Sequence, residues 1–130
     1  MHVELVSPET IVYSGQADMV VARTVGGGEI AFLAGHVPFI GVLDIGSVRL
    51  YEDDKLRDQI AVHSGFVEVT PSKVTILSDV AELSAEVDVA RARAAKERAE
   101  EGLRSDADDK ELLAALRRAD VRLEVTNAQA

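Results

Sequence analysis

Through residues 1–84 the apolar positions fall in short runs separated by turn residues. Val3-Glu4-Leu5-Val6 and Phe66-Val67-Glu68-Val69 alternate apolar with polar, the period of a strand with one buried face. Similar runs occupy 11–13, 18–24, 29–33, 37–43, 47–51, 56–63, 73–77 and 80–83. Between them stand Ser14-Gly15, Gly26-Gly27-Gly28, Ala34-Gly35, Asp44-Ile45-Gly46, Ser64-Gly65 and Pro71-Ser72, residues that supply turn geometry. About ten short strands at this spacing predict an all-β antiparallel sandwich. No stretch between runs is long enough for a helical crossover, which disfavours parallel pairing.

The pattern changes after Ser84. Eight of the nine glycines, all three prolines and most β-branched residues lie before this point, whereas alanine dominates after it, so strand chemistry gives way to helix chemistry. Ala92, Ala95, Ala99 and Leu103 follow steps of three and four along one helix face, and Leu112, Leu116, Ala119 and Leu123 repeat the pattern. The polar stretch 104–109 joins them. Asp108 with Glu111 has the form of a capping box that would start the second helix. A connector this short predicts an antiparallel α-helical hairpin. The division is therefore a β-sandwich domain over 1–84 and a two-helix domain over 85–130. An alanine seam buries little area, about 0.8 kcal/mol per buried CH₂, so the hairpin needs docking, a ligand or a partner to persist.

Composition narrows the functions. With 47% hydrophobic residues the chain sustains a core. Without cysteine it forms no disulfide or thiolate metal site. A net charge of −9 opposes binding to nucleic acid or anionic lipid. No apolar run approaches the roughly 20 residues of a membrane span, and the N-terminus lacks a signal-peptide pattern. The expectation is a chain without membrane insertion, cytosolic or held at a membrane by a partner.

Catalytic motifs are scarce. His2, His36 and His63 are far apart and lack zinc spacing. Ser64-Gly65 lacks the nucleophile-elbow context, and no G-K-[ST] follows the triple glycine. The arginines of the helical half carry more. Arg91 and Arg98 share one helix face, as do Arg118 and Arg122. A hairpin could bring both pairs together into a site for phosphate oxygens. From spacing alone, solvated charges paired with Asp88, Glu97 and Glu101 along the helices are the favoured reading.

Taken in order, several segments resemble the epsilon subunit of the F-type rotary ATP synthase. They are V-E-L-V-S-P-E-T-I-V-Y-S-G (3–15), G-E-I-A-F-L-A-G-H-V-P-F-I-G-V-L (28–43), I-G-S-V-R-L (45–50), H-S-G-F-V-E-V-T-P-S-K-V-T-I-L-S-D-V-A (63–81) and D-V-A-R-A-R-A-A-K-E-R-A-E (88–100). The resemblance implies a non-catalytic central-stalk subunit at the cytoplasmic face of the cell membrane. It implies contact with the gamma subunit and the c-subunit ring, and coupling of proton flow to ATP synthesis. Its hairpin would fold on the sandwich or extend to the alpha and beta subunits and inhibit hydrolysis. The corner facing gamma and the c ring would present Glu29 and His36, with Val37 and Phe39 beside them. Ala34 stands where the family usually has proline, and Ala31 where it usually has glycine.

The segment 87–92 also resembles the ATP-binding motif of some bacterial epsilon subunits, with Val87 at its usual Ile or Leu position. Glu82, Asp88, Arg91, Arg98, Arg118 and Arg122 match or neighbour that site's positions, the last two after a short deletion in the second helix. The cofactor this implies is a regulatory ATP, none being required otherwise. A free-standing nucleotide-sensing adaptor is the alternative function; a sandwich hydrolase or lectin-like module is a third, disfavoured by the missing catalytic constellation.

Overall fold

The computed structural model describes residues 1–127. Eight strands come first: β1 (His2–Val6), β2 (Ile11–Gln16), β3 (Met19–Thr24), β4 (Gly28–Leu33), β5 (Phe39–Glu52), β6 (Lys55–Val69), β7 (Lys73–Leu77) and β8 (Ala81–Leu83). A single 3₁₀ turn, Ser84–Glu86, leads into α1 (Val89–Ser105) and α2 (Lys110–Val125). The last positions of the helical half, 128–130, lie outside the described residues.

Ten expected strands become eight because two breaks in the apolar pattern are bends rather than turns. The runs 37–43 and 47–51 merge into β5, and 56–63 and 66–69 merge into β6. The bend in β6 rests on Ser64 at φ 72° and Gly65 at φ 145°. A Cβ on Gly65 would stand 2.1 Å from the Leu77 carbonyl oxygen, so glycine is required there. Opposite the bend, pairing passes from Leu43↔Gly65 to Ile45↔His63, and the Asp44 carboxylate accepts from the Ile45 amide at 2.8 Å.

Each long strand therefore serves two sheets. The first contains β2, β1, β7, the second half of β6 and the first half of β5. The second contains β4, β3, the second half of β5, the first half of β6 and β8. Antiparallel pairing dominates, but β1 and β7 run parallel, Val3 opposite Val74 and Leu5 opposite Ile76. This departs from the expectation of no parallel pairing. The connection between these two strands is most of the sandwich itself, so no helical crossover is needed.

Alternating positions of both sheets meet in one core. Val3, Leu5, Val20, Phe32, Leu43, Leu50, Ile60, Val62, Val67, Val69, Val74 and Ile76 are all buried within it. Fully burying such side chains contributes about 1.5–3 kcal/mol each, which explains why this half needs no disulfide.

The helices form an antiparallel hairpin on the outer face of the second sheet. The two helices pack together, and Ala92 and Ala99 of α1 and Ala119 and Leu123 of α2 are buried. At Gly102 the helices pass so closely that a Cβ would meet Leu112 Cδ1 at 2.8 Å. Another stripe of α2, Val121 and Val125, packs on Ala61, Ile45 and Val87. This covering explains the unbroken buried run Ile60-Ala61-Val62 in β6, since a strand buried on both faces loses alternation. The expected capping residue shifts by one: Asp109, not Asp108, accepts from the Leu112 amide at 3.0 Å. No helix among the described residues is long and apolar enough to cross a membrane.

Candidate functional site

A cavity of about 430 Å³ opens where the sandwich hands over to the hairpin. Strand β8 and the 3₁₀ turn supply Glu82 and Glu86, the N-terminus of α1 supplies Asp88 and Arg91 and its middle Arg98, and α2 supplies Arg122. Ala92 and Ala95 also line it, and their short side chains leave the room. The size falls within the range of small-molecule sites.

The three carboxylates are each committed. Asp88 caps α1, accepting from the Arg91 amide at 3.1 Å. Glu86 accepts from the Leu83 amide at 2.9 Å. Glu82 takes two donors on one oxygen, Arg122 Nε at 2.6 Å and His63 Nε2 at 3.1 Å. Those two bonds hold the Glu82 carboxyl below the usual carboxylate range, against the opposing effect of burial. By contrast, the guanidiniums of Arg91 and Arg98 pair with no carboxylate among the described residues. The cavity thus offers two uncommitted cations, one cation held by a carboxylate, and the positive end of α1, a combination suited to an anion.

Five of the six residues expected at a nucleotide site thus line one cavity. Arg118 does not; its Nη2 reaches back two turns along α2 to Glu111 at 3.3 Å. His63, at the floor of this network, belonged to no expected site. A histidine opposite a glutamate in a neighbouring strand leaves no spacing signature, because the pair arises from β6–β8 register.

The proposed partner corner divides. His36 is half-buried, its Nδ1 donating to the Val37 carbonyl at 2.6 Å and its ring edge-on to Phe32 at 5.3 Å. Val37 is 70% exposed. Phe39 turns partly inward against Phe32, ring centroids 5.6 Å apart. Glu29 stands at the opposite end of β4 from His36, roughly 20 Å away at strand rise. There it pairs with Arg49 at 2.6 Å. One turn therefore does not present both residues.

A surface that went unpredicted lies on the outer face of the first sheet. Val42, Phe66 and Leu77 occupy directly paired positions on three adjacent strands, and Ile40 continues the β5 row. They are 50, 55, 47 and 75% exposed. Apolar residues at both phases of these strands are the signal: Phe66 and Leu77 stand where alternation calls for polar residues. A contiguous exposed patch of this kind marks an interaction surface.

Two family descriptions match in succession: the ATP synthase Delta/Epsilon chain beta-sandwich domain over residues 1–84, and its long alpha-helix domain over 85–127. The ATP synthase epsilon chain of Halalkalibacterium halodurans is 46% identical over 129 residues, covering 96% of each chain. That of Streptomyces griseus is also 46% identical, over 123 residues, covering 95% of this chain and 92% of the relative. A chain in the cryo-EM structure of the Euglena gracilis mitochondrial ATP synthase OSCP/F1/c-ring assembly superposes with TM-score 0.67 at 25% identity, covering 97% of this chain and 76% of that one. This chain belongs to the ATP synthase delta/epsilon chain family, as a non-catalytic subunit of the rotary complex.

Proposed function

We infer that this chain is the central-stalk subunit that turns with the gamma subunit and the c ring, at the cytoplasmic face of the membrane, and couples proton flow to ATP synthesis. The observation that carries the partner assignment is the bare apolar row Ile40, Val42, Phe66 and Leu77. A chain with a net charge of −9 and a sound core has no solitary use for such a surface; a permanent neighbour does. We assign gamma to this face and the c ring to the turn at His36 and the exposed Val37. Copurification from detergent-solubilised membranes tests the reading: gamma and c should accompany the chain. A chain recovered alone from intact complex preparations overturns it.

The hairpin is the regulatory part. Docked, it covers the second sheet; extended, it would reach the alpha and beta subunits and inhibit hydrolysis. Support for a nucleotide ligand comes from the cavity's uncommitted Arg91 and Arg98. ATP phosphates would take those two guanidiniums, with Arg122 as the third after release from Glu82. Calorimetric titration of ATP into the full chain should give saturable heat, and Arg98→Gln should weaken binding by about 1.5–3 kcal/mol. No heat at millimolar ATP would leave these arginines a structural role only.

A further inference from the structure

The side chain of His63 is 4% exposed and lies where β6, β8 and α2 converge. The Glu82 carboxylate can only accept, so Nε2 carries a proton, and the lack of any acceptor for a second one at Nδ1 favours the neutral tautomer, with Nδ1 as a bare lone pair. That Nδ1 is buried and has no hydrogen-bond partner. The oxygen of Glu82 that receives Nε2 also receives Arg122 from α2, so one carboxylate oxygen fastens the hairpin to the sandwich and steadies the histidine beneath it. The charged groups facing His63 are Glu82 from β8 and Arg118 and Arg122 from α2. From β5, the neighbouring Asp44 is engaged elsewhere, by Arg117 at 3.4 Å. Arg91 and Arg98 of α1 line the cavity beyond Glu82.

We propose that His63 is a proton-operated release for the hairpin: a solvent proton taken up at Nδ1 loosens the Glu82–Arg122 fastening and favours the undocked state. A proton at Nδ1 creates a buried donor without an acceptor. It also places a second cation on the oxygen that Arg122 uses, so Glu82 no longer needs Arg122 for neutrality. Undocking relieves both, because it removes α2 with its two arginines and admits water to the ring. In the docked chain, burial, followed by the fields of Arg122 and Arg118, holds His63 below its ordinary value of 6.5, despite the opposing bond to Glu82. A group depressed in the docked state favours docking above the undocked value and ceases to do so as pH falls through the docked one. Docking is therefore strongest at neutral pH and weakens with acid. The inference rests on the hairpin being releasable, as proposed above, and not on any nucleotide.

The chain has no cysteine, so spin labels on Lys55→Cys and Glu100→Cys report hairpin position in the full chain. The docked population should fall about fivefold or more between pH 7.5 and 5.5. In His63→Gln, which keeps an N–H for Glu82 and takes up no proton, it should stay constant. A decline of equal size in His63→Gln, or none in the unsubstituted chain, overturns the proposal. As a check independent of that variant, imidazole NMR should place the His63 midpoint below 6.5 and move it upward in Arg122→Gln; the same midpoint in both chains also overturns it. Docking that yields to Arg122→Gln but not to acid sinks only the proton release, whereas docking that yields to neither sinks the releasable hairpin.

Discussion

The two outer faces of the sandwich are treated in opposite ways. The second sheet is covered by the hairpin through small contacts, Ala61 and Ile45 against Val121 and Val125, supplemented by Arg122–Glu82 and Arg117–Asp44. The first sheet presents larger side chains, among them Phe66, Leu77 and Ile40, and nothing within the chain covers them among the described residues. If burial of apolar area alone decided where the hairpin rests, the first sheet would be the better seat. Its actual seat is the one where little area and a few polar bonds are at stake, hence one that can be left. The apolar face suits a neighbour that does not leave. The difference teaches that, on the function proposed above, reversible and permanent contacts are distinguished within one small fold by what holds them.

The sharpest way to break this comparison is at the bare face. Phe66→Asp should weaken association with the rest of the stalk by about 4 kcal/mol, roughly a thousandfold, as for a central interface residue. Thermal stability of the isolated chain should change by less than about 0.5 kcal/mol, since the side chain is already exposed. Unaltered copurification of this variant with gamma would remove the face from the assembly. On the covered face, Arg122→Gln should cost about 2 kcal/mol of docking by removing a charge-assisted bond, read as a longer label distance with the sandwich still folded. A simultaneous collapse of the sandwich would show that the two are not separable. The smallest effect belongs to Asp88→Ala. Loss of the α1 cap should cost about 1 kcal/mol of helix stability, seen in amide exchange of the first turn of α1.

Much of the fold was legible because the core obeys local rules. Period-two apolar residues marked the strands, and alanine and leucine at steps of three and four marked the hairpin seam. What escaped depended on tertiary geometry. Ser64-Gly65 has the composition of a turn, yet its positive φ angles bend a continuing strand, which only the Leu77 carbonyl on the neighbouring strand makes evident. The connector holds three aspartates, Asp106, Asp108 and Asp109, of which the last two are adjacent candidate caps, and the fold uses Asp109. The arginine spacing pointed to the cavity, but Arg118, a turn before Arg122 on the same face of α2, is taken by Glu111 instead. Glu29 and His36 stand close in sequence, but an extended β4 places them at opposite ends. His63 was invisible as a functional residue, since its partners come from β8 and α2.

The bend at Gly65 has a mechanical corollary. Because β5 and β6 run unbroken through both sheets, the sandwich has no plane along which one layer could slide over the other without distorting covalent backbone. Twist applied at the apolar face would pass along two peptide chains to the opposite layer, and the stiffness of the body would be set by backbone geometry more than by side-chain packing. A protein that must carry load while shedding and regaining a loosely seated appendage gains from keeping those two duties on separate parts of its frame.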